Sequence, residues 1–360
     1  INPDIFDIEY KKMRHTLLLK IKEENKCLKV LKKELLLDAF YQPQTLLIER
    51  LQNAPENESQ SSFRSIKSNI EYKESQPTKA KIEDLLQDFQ KVVPAKKTDI
   101  PRFFVIGTAG SGKSTLMQYL MYKIADGKLK IGTKDVLPVL IDLAKVDGDY
   151  QLPQYFSNGG NYKLLEYFGT LCDHLLSIPS DTPWLQWFKK GEILLLIDNL
   201  DLLPDCKVDF FLSLIKKIFH KFRECPVILA CRKGINERYI DLELDIPVFV
   251  LDNFDESQQQ KYVECSLLDR DSKDNLTLLL KNSSQMQLLV SNPLLLSFIC
   301  HGTNRLKEPI TLPTTRSLLY KKIMKQLFEL TSRIAINKPW ITNTQDFLEE
   351  IGRASCRERV

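Results

Sequence analysis

The chain has 360 residues, enough for two or three domains that each enclose a sizeable core. Its 43% hydrophobic and 27% charged residues are the proportions of an ordinary soluble protein, and a net charge of +4 spread over both signs gives no footprint for nucleic acid. No apolar run approaches the ~18 residues a membrane span needs, and no signal peptide is visible. The eight cysteines (27, 172, 206, 225, 231, 265, 300 and 356) form no C-x-x-C pair and mostly sit in apolar surroundings. The expectation is reduced thiols in a cytoplasmic protein.

The chain starts at Ile1, and its last eleven residues, "EIGRASCRERV", read as the translation of a common sequencing adapter. A fragment of a longer protein is expected, with residues 350–360 a foreign tail that has no fold or function.

In chain order, "IEYKKMRHTLLLKIKEENKCLKVLKKELLLDAF" (8–40) has apolar positions three and four apart and neither Gly nor Pro. That spacing predicts one long amphipathic helix or two short ones, packed rather than laid on a membrane. "FYQPQTLLIERL" follows as a short extended piece, closing an N-terminal helical segment over 1–52. Residues 53–80, rich in Ser, Asn and Glu, read as a polar flexible linker. "KIEDLLQDFQKVV" is a short helix leading into the next domain.

From Arg102 the texture changes. "RFFVIG", "VLPVLIDL", "EILLLID" and "PVILACR" are continuous apolar runs, separated by the helical stretches "KSTLMQYLMYKIA", "YKLLEYFGTLCDHLL" and "KVDFFLSLIKKIFHKF". Strands buried on both faces and alternating with helices predict an α/β domain on a parallel sheet, over 81–254. Ligands of such sheets sit at the carboxyl ends of the strands. After about residue 255 strand signals fade, and a helical domain over 255–335 is expected.

"GTAGSGKST" (107–115) lies directly after the strand "FFVI" and before a helix. It satisfies G-x-x-x-x-G-K-[ST] in the strand–loop–helix context that defines a phosphate-binding P-loop. Gly107, Gly110 and Gly112 let the backbone curl so that successive N–H groups point at a polyphosphate, with Thr108, Ala109, Ser111 and Thr115 completing the loop. The helix N-terminus adds its dipole. Lys113 reaches the β- and γ-phosphates, and the Ser114 hydroxyl ligates Mg²⁺. Asp198 ends the strand "ILLLID", where it serves either as a Walker B carboxylate on Mg²⁺ or as a helix N-cap. Arg232 closes "PVILACR" and either senses a γ-phosphate or forms a surface salt bridge. His15, His174, His220 and His301 lie in no catalytic motif.

The ordered set "RFFVIGTAGSGKSTLMQYL", "VLPVLIDLAKV", "WFKKGEILLLIDNLDLL", "CPVILACRKG", "VFVLDNFDESQQQKYV", "NPLLLSFIC" and "LPTTRSLLYKKIMKQL" resembles the NACHT family of signal-transducing P-loop NTPases over about residues 100 to 335. The Lys-Gly step before the Walker B strand is part of that likeness. The resemblance implies a three-layer P-loop NTPase sandwich with strand order 5-1-4-3-2, which would place Arg232 between the P-loop strand and the Asp198 strand. It also implies Pro293 against the adenine and a winged-helix domain starting near 336, cut short at 349. Two departures concern chemistry. The family's Asp-Gly-φ-Asp-Glu, where φ is apolar, reads Asp198-Asn199-Leu200-Asp201-Leu202, and its sensor Thr-Ser reads Ala230-Cys231. Asp201 is then the remaining candidate for orienting the attacking water.

The expected function is a switch that binds ATP or ADP with Mg²⁺ and hydrolyses slowly. It would couple nucleotide state to self-association through the nucleotide domain, in innate-immune, cell-death or antiviral signalling, with effector and sensor partners unidentified. The alternatives are a structural nucleotide binder with little hydrolysis and, further off, an AAA-type motor acting on nucleic acid. No guanine-specifying motif is visible, which favours ATP over GTP.

Overall fold

The computed structural model describes residues 3–30, 33–49, 79–93, 99–143, 184–202, 205–232, 246–267, 269–281 and 284–303. The expected helix "YKLLEYFGTLCDHLL", most of the polar linker, the segment "LPTTRSLLYKKIMKQL", the winged-helix start and the adapter-like tail lie outside the described residues. The chain divides into two compact units, Ile1–Asn253 and Phe254–Val360.

A seven-stranded sheet organises the first unit. Its strands are β3 (Leu46–Glu49), β4 (Lys79–Ala80), β5 (Arg102–Gly107), β6 (Leu137–Asp142), β7 (Ile193–Asp198), β8 (Val227–Arg232) and β9 (Val248–Leu251). Its order is β4-β3-β9-β5-β8-β7-β6. The five strands from β9 to β6 pair in parallel. Counted from the P-loop strand they run 5-1-4-3-2, the order the resemblance implied. Every residue of β7 is buried, as is each of β5 after Arg102, because helices cover such a sheet. The helix Lys113–Ala125 packs on β5, β6, β7 and β8. Arg102 ties β5 to the end of the helix Asp205–Lys221 by donating to the carbonyls of Phe219, Phe222 and Cys225 at 3.2, 2.5 and 3.0 Å. A cation is favoured at such a carbonyl-rich helix end.

The N-terminal segment departs from the expected helices. The helix Pro3–Asn25 ends where Asn25 Nδ2 bonds the Ile21 carbonyl at 2.9 Å. Beyond it, β1 (Cys27–Val30) and β2 (Lys33–Leu36) form an antiparallel hairpin, followed by the short helix Leu37–Phe40. Lys and Leu in this stretch fit either period, and contacts decide between them. The Cys27 carbonyl accepts from Gln118 Nε2 of the P-loop helix at 2.9 Å, and Leu37 N–H bonds the Lys26 carbonyl at 3.0 Å. A helical segment over 1–52 is therefore corrected to helix, hairpin, short helix and strand. The last of these, β3, joins the main sheet antiparallel to β9, with Leu46 opposite Leu251. The two-residue β4, at the end of the expected linker, pairs with β3 in turn. The expected helix over "KIEDLLQDFQKVV" is broken at Asp88, which caps a second short helix by accepting from Lys91 N–H at 3.1 Å.

The described part of the second unit is helical: Glu256–Ser266, Arg270–Lys281, Ser284–Val290 and Pro293–Thr303. Asp255 and Gln258 form a reciprocal capping box that starts the first of these. Leu276, Val290, Leu296 and Cys300 belong to a core separate from that of the sheet.

Candidate functional site

The site stands at the carboxyl ends of β5, β8, β7 and β6. β5 delivers the chain into the loop Thr108–Gly112, and the helix starts at Lys113. Gly110 and Gly112 take φ values of 75° and 99°, in the left-handed region that glycine enters without strain. The Lys113 ammonium lies over the loop, donating to the carbonyls of Gly107 and Thr108, both at 2.9 Å, and to Ser111 Oγ at 3.3 Å. Burial pulls Lys113 below the ordinary lysine value, while the Asp201 and Asp198 carboxylates act to raise it. Thr108 and Ala109 are exposed, Gly107 and Ser111 are buried, and Gly110, Gly112 and Thr115 are in between.

Asp198, 3% exposed at the tip of β7, accepts from the Ser114 hydroxyl and from the Asn199 N–H at 2.9 Å. Its carboxylate stands beside the P-loop helix rather than capping a helix of its own. Burial raises its pKa above the ordinary carboxylate value, and the bonds from Ser114 and Asn199 oppose that. Asn199 sits at φ 61°, where the family has glycine. Asn is among the few side-chain-bearing residues that enter this region readily. Its amide also donates to Asp142 Oδ1 at 2.8 Å. Asp142 faces Asp198 across the β6–β7 register.

Asp201, in the 3₁₀ turn Leu200–Leu202, is paired with Arg232. Its Oδ1 accepts the Arg232 backbone N–H at 3.2 Å, and its Oδ2 lies 2.9 Å from Arg232 Nε. The carboxylate is 4% exposed and the arginine side chain 56% exposed. Arg232 thus forms a salt bridge, yet one placed beside the P-loop, since it is in register with Gly107 across β5 and β8. Leu202, where the family has glutamate, is 50% exposed. Cys231 is buried, and burial pushes its thiol up to about 12, so it stays neutral beside the phosphate loop.

Pro293 opens the helix Pro293–Thr303 in the second unit. Asn292 Oδ1 accepts from Leu294 and Leu295 N–H at 3.1 and 3.3 Å, so Pro293 holds the first helical position, where its missing N–H is not needed.

Two residues of the site carried no assignment from sequence. Asp142 had a legible signal, since β6 and β7 both end in Ile-Asp at the same register position. Gln44 had none. It comes from the N-terminal segment, is 6% exposed, and donates to the carbonyls of Ser111 and Asp252 at 2.8 and 2.7 Å.

The donor set suits a magnesium nucleotide. Among the described residues no cluster of three His, Cys, Asp or Glu that could hold a metal is present. Mg²⁺ is instead commonly held by one or two carboxylates together with phosphate oxygens and water. The Ser114 hydroxyl and Asp198 carboxylate, already in contact, are the groups that would hold it.

A P-loop on a 5-1-4-3-2 parallel sheet, with an acid at the tip of the strand next but one to it, defines a nucleotide-binding P-loop NTPase fold. Residues 102–270 match the NACHT domain family, and the chain carries a NACHT domain. Solved structures that match part of this chain include Caenorhabditis elegans PCH-2, at 14% identity and TM-score 0.35, aligned over 66% of this chain and 64% of that one. Another is a DNA replication initiation factor, at 15% identity and TM-score 0.31, aligned over 56% of this chain and 57% of that one. The chain thus spans less than two-thirds of either structure. No protein with a curated description matches the sequence. Among the described residues no helix is long and apolar enough to cross a membrane.

Proposed function

We propose that this chain is the nucleotide switch of a NACHT-type signalling protein, binding ATP or ADP with Mg²⁺ and cleaving ATP slowly. The observation that carries the reading is the Asp201–Arg232 pair. The one acid left for positioning water has an oxygen on the arginine side chain and the other on its backbone N–H, and Leu202 supplies no second acid. Binding groups are complete while the hydrolytic group is occupied. Lys113, Ser114 and Asp198 bind the phosphates and metal, Arg232 answers to the γ-phosphate, and Pro293 covers the adenine. Exchange of ADP for ATP then biases the two units towards an assembly-competent arrangement, with self-association through the nucleotide domain. Signalling in immunity or cell death, in the cytoplasm and with effector and sensor partners, belongs to the same reading.

The test is the nucleotide released on denaturing the purified protein, followed by single-turnover hydrolysis. ADP in near-stoichiometric amount with slow turnover supports the switch. Bound nucleotide with no turnover and no change of assembly between ADP and ATP would leave a structural binder, which the occupied Asp201 also favours. Turnover stimulated by DNA or RNA would overturn both.

A further inference from the structure

We infer that Gln44 is a positioning residue for the phosphate loop, setting the direction in which the loop presents its backbone to a nucleotide. The inference rests on the nucleotide-binding reading above and adds a role for the N-terminal segment, which the family match at 102–270 does not include.

Gln44 follows the aromatic pair Phe40 and Tyr41, and Tyr41 stacks on Tyr119 of the P-loop helix with ring centroids 3.8 Å apart. Two residues later β3 begins, and Leu46 is fully buried in the sheet. Gln44 is therefore held at both ends. Its amide nitrogen lies 2.8 Å from the Ser111 carbonyl and 2.7 Å from the Asp252 carbonyl. Two carbonyls facing one amide fix its orientation, because only the NH₂ end satisfies both. Its Oε1 lies 2.8 Å from where a Cβ on Gly112 would stand, so Gly112 accommodates this side chain as well as its own positive φ.

The consequence follows from peptide geometry. In a trans peptide the C=O and the next N–H point in opposite directions, and no cis peptide is present among the described residues. A Ser111 carbonyl pinned towards Gln44 therefore aims the Gly112 N–H away from Gln44. That N–H is one of the donors the P-loop motif supplies to a phosphate. Without the pin, the Ser111–Gly112 peptide is free to rotate, and the loop must be ordered by the ligand at a cost to affinity. The second bond, to Asp252, ties the same amide to the chain two residues before the second unit begins.

The experiment measures Mg-ADP affinity and thermal midpoint on the full chain for wild type, Gln44→Met, Leu46→Ala and Lys113→Ala. Gln44→Met keeps length and shape but removes both donors. Leu46→Ala weakens the same segment without touching the loop. Removing a buried bond of this kind is expected to weaken Mg-ADP binding by about tenfold in Gln44→Met. Leu46→Ala is expected to lower the midpoint at least as much, with affinity within about twofold of wild type at temperatures where it is folded. Wild-type affinity in Gln44→Met alongside loss in Lys113→Ala overturns the positioning role and leaves nucleotide binding standing. Affinity losses that track the fall in midpoint across Gln44→Met and Leu46→Ala also overturn it. If wild type binds no Mg-ADP, the nucleotide reading itself fails. Should Gln44→Met not fold, Gln44→Glu takes its place, with an acceptor-only carboxylate facing two carbonyls at neutral pH and the same outcomes read in the same way.

Discussion

The acids at the strand tips share Asn199, and their remaining partners set what the loss of each would do. Asp198 touches Ser114, so Asp198→Asn is expected to remove the magnesium dependence of nucleotide binding, seen as equal ADP affinity with and without EDTA. Asn199 combines a left-handed backbone with a bond to Asp142. Asn199→Ala should therefore cost roughly 2 kcal/mol in denaturant unfolding, about half from the backbone and half from the bond. Asn199→Gly should cost less, since glycine is unstrained there. Leu202 is half exposed, so Leu202→Glu is expected to leave stability within about 0.5 kcal/mol. Under the slow-switch reading it should speed single-turnover ATP cleavage by about tenfold or more, towards the range a positioned base contributes. The P-loop residues and Asp198 were readable from sequence because their spacing along strand, loop and helix is local. Gln44 was not, because its partners lie 67 and 208 residues away along the chain.

Four of the five parallel strands, β5 to β8, were readable as unbroken apolar runs, and the fifth, β9, was implied only by the family's strand order, while the hairpin and the β3–β4 pairing were not readable. The strands from β1 to β4 are only two to four residues long, and their pairing is settled by contacts with Gln118, Lys26 and β9 rather than by their own period. The Lys-Gly step before β7 acquires a physical reason. Gly191 takes φ 66°, and a Cβ there would collide with the Glu224 carbonyl oxygen. Gly191→Ala should destabilise by about 3 kcal/mol, measured by denaturant midpoint, because both strain and overpacking oppose it. The helix Pro3–Asn25 is fastened to the P-loop helix by Leu17 and Ile21 and by charges. Lys22 meets Asp126, at the end of the P-loop helix, at 2.6 Å; Lys128 meets the same carboxylate at 2.7 Å, and Lys123 of the P-loop helix pairs with Asp38 of the short helix Leu37–Phe40. The bonds from Lys128 and Lys22 hold Asp126 below the ordinary carboxylate value of 3.8, and the Lys123 bond does the same for Asp38. Asp126 in turn holds Lys22 and Lys128 above 10.5. A lowered carboxylate pKa gives stability that is present above 3.8 and lost as pH falls through the folded value. A raised lysine pKa gives stability that is present below 10.5 and lost as pH rises through the folded value. Hydrogen exchange in Pro3–Asn25 is accordingly expected to be slowest, after correction for intrinsic rates, between these limits, and to quicken in high salt.

Two units with separate cores give the whole molecule two places to unfold. Ligand bound to one unit alone raises that unit's midpoint, by an amount equivalent to about 2.7 kcal/mol at a hundredfold excess over Kd. Calorimetry in Mg-ADP should accordingly raise the transition of the first unit, which carries the P-loop, and an unmoved first transition would count against nucleotide binding there. The order of the sheet bears on how copies of this chain meet. On one side the antiparallel pair β3 and β4 lies over β9, which therefore offers no free edge to another chain. On the other side β6 is the last strand among the described residues, and Pro138 within it has no amide to donate. Flanks ended in this way resist strand addition. Assembly of this chain should accordingly leave the β-sheet signal in the amide I infrared band unchanged, and growth of that band on concentration would report misassembly rather than signalling.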